Sequence, residues 1–232
     1  MSTPAALPRT EAEAVAEQER LRPLVDRLGP GPDPAAGGTV AGVDVAYDDA
    51  HDLVAAAAVV LDAATLAVVD RATAVGRVAF PYVPGLLAFR ELPAVLDALD
   101  RLTVRPGLVV CDGYGVAHPR RLGLASHLGL LTGIPSFGVA KTTFTFTFTC
   151  EPPGPRRGDH SPLLDGGEEV GRALRTREGV KPVHVSVGHG VSLDRACAHT
   201  LRLTPRYRLP ETTRRADSLC RRALAAALRD GS

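Results

Sequence analysis

Residues Val104–Lys141 read VRPGLVVCDGYGVAHPRRLGLASHLGLLTGIPSFGVAK, and this stretch decides the fold. Leu108-Val109-Val110-Cys111 is a short apolar run of the kind that makes a buried strand. It ends in Asp112-Gly113, with Gly115 close behind. Arg120–Thr132 then carries Leu122, Ala125, Leu128 and Leu131 or Leu130 at helical spacing, and Gly133 stops it. Ile134–Ala140 reads as a second buried strand ending at Lys141. Strand–helix–strand means a parallel pair joined by a crossover helix. In such sheets the chemistry sits at the carboxyl ends of the strands, which are the positions of Asp112 and Lys141. A carboxylate and an ammonium at one sheet edge suit a site that processes a polyanion.

Working outward, the 232 residues are enough to bury a real core. No apolar stretch reaches the roughly 20 residues of a membrane span, and the N-terminus lacks the pattern of a secretory leader. Cys111, Cys150, Cys197 and Cys220 form no C-x-x-C pair, so they read as buried thiols of a reducing compartment. A cytoplasmic monomer with no membrane association is expected. The net charge of +1 hides an asymmetry. Residues 1–112 hold 9 Arg against 16 Asp and Glu, whereas residues 113–232 hold 18 Lys and Arg against 10. A basic half favours an anionic partner, of which nucleic acid is the commonest large one; an Arg-rich polar surface is the plainer alternative. Only Lys141 and Lys181 are lysines. In so Arg-biased a chain, a lysine kept at a strand end gains weight, since the two cations differ in reach and hydration.

Along the chain, Thr10-Glu11-Ala12-Glu13 is a capping-box pattern that opens a helix to about Leu28. Gly29-Pro30-Gly31-Pro32 ends it, and Asp33–Gly38 is a flexible approach. Thr39–Tyr47 alternates as a strand, Leu53–Leu61 is a second and Leu66–Val75 a third, with short turns that imply an antiparallel meander. Pro81-Tyr82-Val83-Pro84-Gly85 is a loop stiffened by two prolines. A helix from Gly85 to Arg101 follows, with Pro93 expected to kink or restart it. After Lys141 comes the alternation Phe144–Thr149, then Glu151–Gly167, which reads as a long surface loop. Val170–Arg177 is a short segment, Val183–Val187 a last strand, Leu193–Leu203 a helix capped by Ser192, and Pro210–Arg229 the final helix. One domain is expected over 1–232, with 1–38 as N-terminal helix and approach and a core at about 39–229.

This is the element order of an α/β, ribonuclease H-like mixed sheet: an antiparallel three-strand meander plus parallel strands, flanked by helices. That fold carries carboxylates on its first strand, first helix, fourth strand and a late helix, which here points to Asp44, Glu91, Asp112 and Asp217. Asp44 is anomalous in a strand, because an interior carboxylate is costly unless paired or metal-bound. Hard divalent cations bind through one or two carboxylates plus water and phosphate oxygens. Such ions stabilise attacking and leaving oxygens of a phosphodiester together, while Lys141 would stabilise charge or orient a water.

The chain resembles the endonuclease V family in Gly42-Val43-Asp44, in Pro81-Tyr82-Val83-Pro84-Gly85 with Phe89-Arg90-Glu91, and in Asp112-Gly113-x-Gly115-x-x-His118-Pro119-Arg120. The likeness continues in Gly123-x-Ala125-Ser126-His127-Leu128-Gly129, Gly138-Val139-Ala140-Lys141, Leu174-Arg175-Thr176-Arg177, Lys181-Pro182, Val185-Ser186-x-Gly188-His189 and Leu209–Arg214. It covers about Thr39 to Asp217. The resemblance implies a Mg²⁺-dependent nuclease, with Mn²⁺ as substitute, acting on DNA that contains deoxyinosine. It implies hydrolysis of the second phosphodiester 3′ to the lesion, with inosine-containing RNA as a further substrate. Asp44, Glu91 and Asp112 are then the metal ligands, and Lys141 and Asp217 join them as catalytic residues. Gly190 stands where the family usually has Arg, Thr212 where it has Pro, and Phe144–Thr149 replaces a Gly-bearing stretch.

Each assignment has a plainer rival. Asp44 and Asp112 are otherwise turn acids, and Glu91 a solvated acid paired with Arg90 or Arg101. Tyr82, flanked by Pro81 and Pro84, reads as a wedge that stacks where the lesion base leaves the duplex; otherwise it packs over the helix start. Gly113 and Gly115 let backbone approach a base closely or merely make a tight turn. His118 and His189 complete the substrate-contact set; His118, His127 and His189 lack the short spacing of zinc ligands, His127 reads as a structural hydrogen bonder, and the rival role for His189 is support of a neighbouring contact residue. A dinucleotide-binding enzyme would use Gly113-x-Gly115, but the third glycine and the second-strand acid are missing. A pure nucleic-acid-binding module would suffer repulsion from clustered acids unless cations neutralise them.

Overall fold

The structure is a computed structural model that describes residues 7–142 and 148–230. Among the described residues eight strands form one sheet: β1 Thr39–Asp48, β2 Leu53–Asp62, β3 Val68–Arg77, β4 Leu108–Cys111, β5 Ser136–Ala140, β6 His160–Asp165, β7 Glu168–Leu174 and β8 Val183–His189. The helices are α1 Glu11–Leu21, α2 Leu87–Asp100, α3 Leu124–Thr132, α4 Leu193–Leu203 and α5 Glu211–Asp230. The strand order is β3-β2-β1-β4-β5-β8-β7-β6. β1, β2 and β3 are the antiparallel meander, and β4 lies parallel to both β1 and β5. This is the ribonuclease H-like mixed sheet.

The sheet is apolar on both faces. Val40, Ala46, Leu108, Val110 and Phe137 pack with Ala216, Cys220 and Leu224 of α5. Ala41, Val43, Val109 and Cys111 pack on the opposite face with Ala88, Leu92 and Val95 of α2 and Ala125 and Leu128 of α3. Gly42 admits α5 to the sheet, because a Cβ there would lie 2.2 Å from the Thr212 carbonyl carbon.

Several elements differ from the sequence expectation, each for a local reason. The first helix stops at Leu21, where Pro23 turns the chain into a short 3₁₀ segment, Arg22–Leu24. β3 starts two residues late because Asp62 Oδ1 accepts from the amides of Ala64 and Thr65, which draws Leu66 into the turn at φ 60°. α2 runs unbroken through Pro93, its apolar stripe offsetting the roughly 3 kcal/mol a helix-interior proline costs. α3 begins only at Leu124, since Arg121 sits at φ 57° with its guanidinium on Asp165 (2.7 Å) and Glu168 (2.9 Å). The expected loop Glu151–Gly167 contains β6, which turns into β7 through Gly166 and Gly167, both at positive φ. Of the alternation Phe144–Thr149, residues 144–147 lie outside the described residues.

Several arginines of the basic half are consumed internally. Arg157 donates to the carbonyls of Leu201 (2.6 Å) and Thr204 (3.0 Å), and Arg175 to those of Pro153 (2.9 Å) and Gly154 (3.0 Å). They hold loops rather than offer charge to a ligand.

The turn after β4 is packed by backbone contact. A Cβ on Gly115 would lie 1.9 Å from the Val187 carbonyl oxygen, and one on Gly138 2.3 Å from that of Gly113. Gly115→Ala is therefore expected to cost about 3 kcal/mol, as overpacking against backbone does. Chemical denaturation checks this; an unchanged midpoint would contradict the packing.

Candidate active site on the central strands

β1 and β4 are in register up to Val43↔Cys111, so Asp44 and Asp112 are the next residues of two adjacent parallel strands. Strand alternation assigns both to the face that carries α5, with the Val40 and Val110 series. Glu91 comes from the other side. Its helix α2 packs on the opposite face, and the residue is 7% exposed. Among the described residues neither Asp44 nor Glu91 has an ion-pair partner.

The charges meet nonetheless. Burial first, and then the Asp112 carboxylate, push Asp44 up to about 7. Burial also pushes Glu91 up to about 8; the Tyr47 hydroxyl opposes this, and Asp44 and Asp112 add to it. Lys141, at the end of β5, places Nζ 2.5 Å from Asp112 Oδ2. Burial draws its ammonium down, but Asp112, Asp44 and Asp217 outweigh this and raise it overall. Asp217 lies on α5 and holds Arg221 at 2.8 Å, while its field reaches both Asp44 and Lys141.

The sequence did not single out the clamp that sets Glu91. Tyr47 Oη donates to Glu91 Oε1 at 3.1 Å. The Arg90 guanidinium lies 4.5 Å over the Tyr47 ring and donates to Asp49 Oδ1 at 2.5 Å. β1, which bears Asp44, thus also fixes the first turns of α2. Alternation of Tyr47 with Asp44 gave no sign of this, because the contact spans 44 positions.

Pro81 and Tyr82 project from the body, Tyr82 being 68% exposed. The loop's ends are buried: Phe80, Leu86 and Phe89 cluster with Ala14 of α1. Gly85, at φ 81°, offers a carbonyl that accepts from Gln18 Nε2 (2.9 Å), His118 Nε2 (3.0 Å) and Arg120 Nη2 (2.8 Å). His118 Nδ1 also accepts from the Arg120 amide, so both ring nitrogens are engaged, and burial draws its pKa down to about 4. Pro84 is exposed. His189 Nδ1 accepts from the Asp26 amide at 3.1 Å, and Gly190, at φ 66°, donates to the Asp26 carbonyl at 2.8 Å. That positive φ suits the glycine found at 190. Gly113, at φ 141°, has open space where a Cβ would be, unlike Gly115.

Buried, mutually repelling carboxylates supply hard oxygen donors, the chemistry a hard divalent cation requires. Among the described residues no group of three or more His, Cys, Asp or Glu is gathered closely enough to hold a metal by itself. Substrate and water oxygens would complete such a shell.

The raised carboxylates fix a pH dependence. Between about pH 4 and pH 8 the folded, metal-free protein binds more protons at Asp44 and Glu91 than the unfolded chain does, so its stability falls as pH rises through that window. The melting temperature in EDTA is expected to drop by several degrees from pH 5 to pH 8. Asp44→Asn should flatten the drop, and an equally steep drop in that variant would contradict it.

A family model described as Endonuclease V matches residues 27–218. An Endonuclease V of Streptomyces avermitilis is 70% identical over 224 residues, covering 97% of this chain and 96% of its own length. The crystal structure of the Streptomyces avermitilis enzyme superposes with a TM-score of 0.93 at 69% identity, covering 97% of both chains. Ciona intestinalis Endonuclease V superposes with a TM-score of 0.80 at 28% identity over 93% of this chain and 98% of its own. It was solved in complex with a 24mer DNA containing an inosine followed by a ribo-adenosine. No helix among the described residues is long and apolar enough to cross a membrane. With the ribonuclease H-like sheet and a family match across most of its length, the chain belongs to the endonuclease V family of nucleases.

Proposed function

We propose that the chain is a divalent-metal-dependent DNA repair endonuclease that recognises deoxyinosine and hydrolyses the second phosphodiester bond on its 3′ side, with inosine-containing RNA as a further substrate. The observation that carries this reading is that Asp44 of β1 and Asp112, just past β4, stand on neighbouring strands beside Lys141, and that their charges act on one another and on the buried Glu91 of α2. The inosine-containing DNA bound by the Ciona intestinalis relative supports the substrate.

Asp44, Glu91 and Asp112 would hold Mg²⁺, or Mn²⁺ in its place. The bound ion would polarise the phosphate and activate a water at neutral pH. Lys141 holds Asp112 in place and adds positive charge where the phosphoryl oxygens gather negative charge. Asp217, already paired with Arg221, tunes the field at Asp44 from α5. Tyr82, carried by Pro81 and Pro84, fills the stack that the lesion base vacates. The open side of Gly113 leaves backbone free to meet that base. His118 and His189 act through the backbone they hold.

A duplex with one central deoxyinosine, labelled at its 5′ end, tests the reading. Nicking at the second 3′ bond is expected with Mg²⁺ or Mn²⁺ and not with EDTA. Equal cutting of the unmodified duplex, or no cutting with either ion, would overturn it.

A further inference from the structure

Pro205, Arg206 and Tyr207 form an exposed corner between α4 and α5. Tyr207 is 47% exposed, and the Arg214 guanidinium stacks 3.6 Å from its ring centroid. An aromatic set in solvent under an arginine is an unusual use of surface unless something covers it. The corner is also rigid. The Arg206 carbonyl accepts from Arg177 Nη1 at 2.8 Å, and the Arg208 carbonyl from Thr176 Oγ1 at 2.7 Å.

Its position ties it to the active site. The Arg208 guanidinium donates to the carbonyls of Lys181 (2.9 Å) and Pro182 (3.0 Å), and also to that of Lys141, the residue on Asp112. Arg214 lies three residues before Asp217 on α5, so the two share one side of the helix. The surroundings are cationic: Arg206, Arg215, Lys141 and Lys181 all reach solvent. The nearby acid, Glu211, is buried and spent on Arg214 (3.3 Å) and Arg215 (3.5 Å).

We propose that Tyr207, backed by Arg214 and flanked by Arg206 and Arg215, is a stacking platform for a base of the nucleic-acid strand that runs past Lys141. Sequence-tolerant binding of a strand combines an aromatic face with a cationic track for the backbone, and both are present at this corner. The ring is already held by Arg214, so little order is lost on binding. The platform reads no lesion. It grips the strand away from the wedge at Tyr82. This inference rests on the reading of the chain as a nuclease of inosine-containing strands.

Fluorescence anisotropy in EDTA, with labelled single strands and duplexes carrying either inosine or adenine, tests it. Tyr207→Ala is expected to weaken binding about tenfold for inosine and adenine strands alike, within the range of one lost base stack. Tyr207→Phe should bind like wild type. Arg215→Gln, which leaves buried Glu211 paired with Arg214, should lower the slope of log K against log salt by about one. Wild-type affinity in Tyr207→Ala, or a loss confined to the inosine strands, would overturn the platform; an unchanged slope in Arg215→Gln would do so if Tyr207→Ala failed to fold. If the wild type nicks inosine duplexes and Tyr207→Ala binds normally, only the platform fails. If the wild type does not nick while Tyr207→Ala loses affinity, the functional reading fails and the platform stands.

Discussion

Asp112→Ala is expected to abolish strand cleavage, by at least about a hundredfold, while nucleic-acid binding survives. Outer-shell partners of a metal site already cost ten- to a hundredfold when removed, and Asp112 is assigned to the site itself. It stands one residue past the Val43↔Cys111 pair, next to Asp44, and raises the pKa of both Asp44 and Glu91. Removing it also frees Lys141 from its 2.5 Å contact and takes one negative charge away from the phosphate path. Binding should therefore hold or tighten. Single-turnover nicking together with a binding isotherm measures both halves. Residual cleavage within about tenfold of wild type would count against a ligand role, and so would loss of binding in step with loss of cleavage. Asp217→Ala should cost less, because that carboxylate is committed to Arg221 on its own helix.

The second large effect lies at Tyr82. Its ring is held out from a loop whose ends are buried at Phe80 and Leu86, and three donors converge on the Gly85 carbonyl behind it. A rigid aromatic loses little entropy on binding. An inosine pair is weakly paired, so extruding its base costs less than for a normal pair. Filling the gap contributes roughly 1–3 kcal/mol by analogy with base–aromatic stacking. Tyr82→Ala should weaken binding to inosine duplexes by about ten- to a hundredfold and leave undamaged duplexes nearly unaffected. Equal losses on both would make Tyr82 a general contact. The lesion-specific loss at Tyr82 and the lesion-blind loss at Tyr207 separate the two aromatic roles.

Much of this was legible from residues alone, where local chemistry decides the structure. The run Leu108–Cys111, the stop at Gly133 and the alternation of β1 each carry their own signal, and together they placed Asp44 within β1 and Asp112 and Lys141 just past the ends of β4 and β5. The hairpin β6–β7 was missed because prolines and charges over 151–160 masked Gly166-Gly167, the two-residue turn that closes it. The start of α3 was misplaced because Arg121 obeys a tertiary pairing with Asp165 and Glu168 rather than its helical propensity. The side of the sheet from which Glu91 arrives, and its bond from Tyr47, depend on a helix crossing to a distant strand, which no local pattern encodes. The basic half was visible as charge, but not that Arg157, Arg175 and Arg208 spend theirs on carbonyls.

The central claim is that Asp44, Glu91 and Asp112 form one divalent-cation site. Crystals grown with Mn²⁺, with data collected at the manganese edge, test it directly. An anomalous peak is expected about 2 Å from carboxylate oxygens of Asp44 and Asp112, with Glu91 facing it directly or through water, and absent in Asp44→Asn. A peak elsewhere, with these three carboxylates metal-free at saturating Mn²⁺, would contradict it.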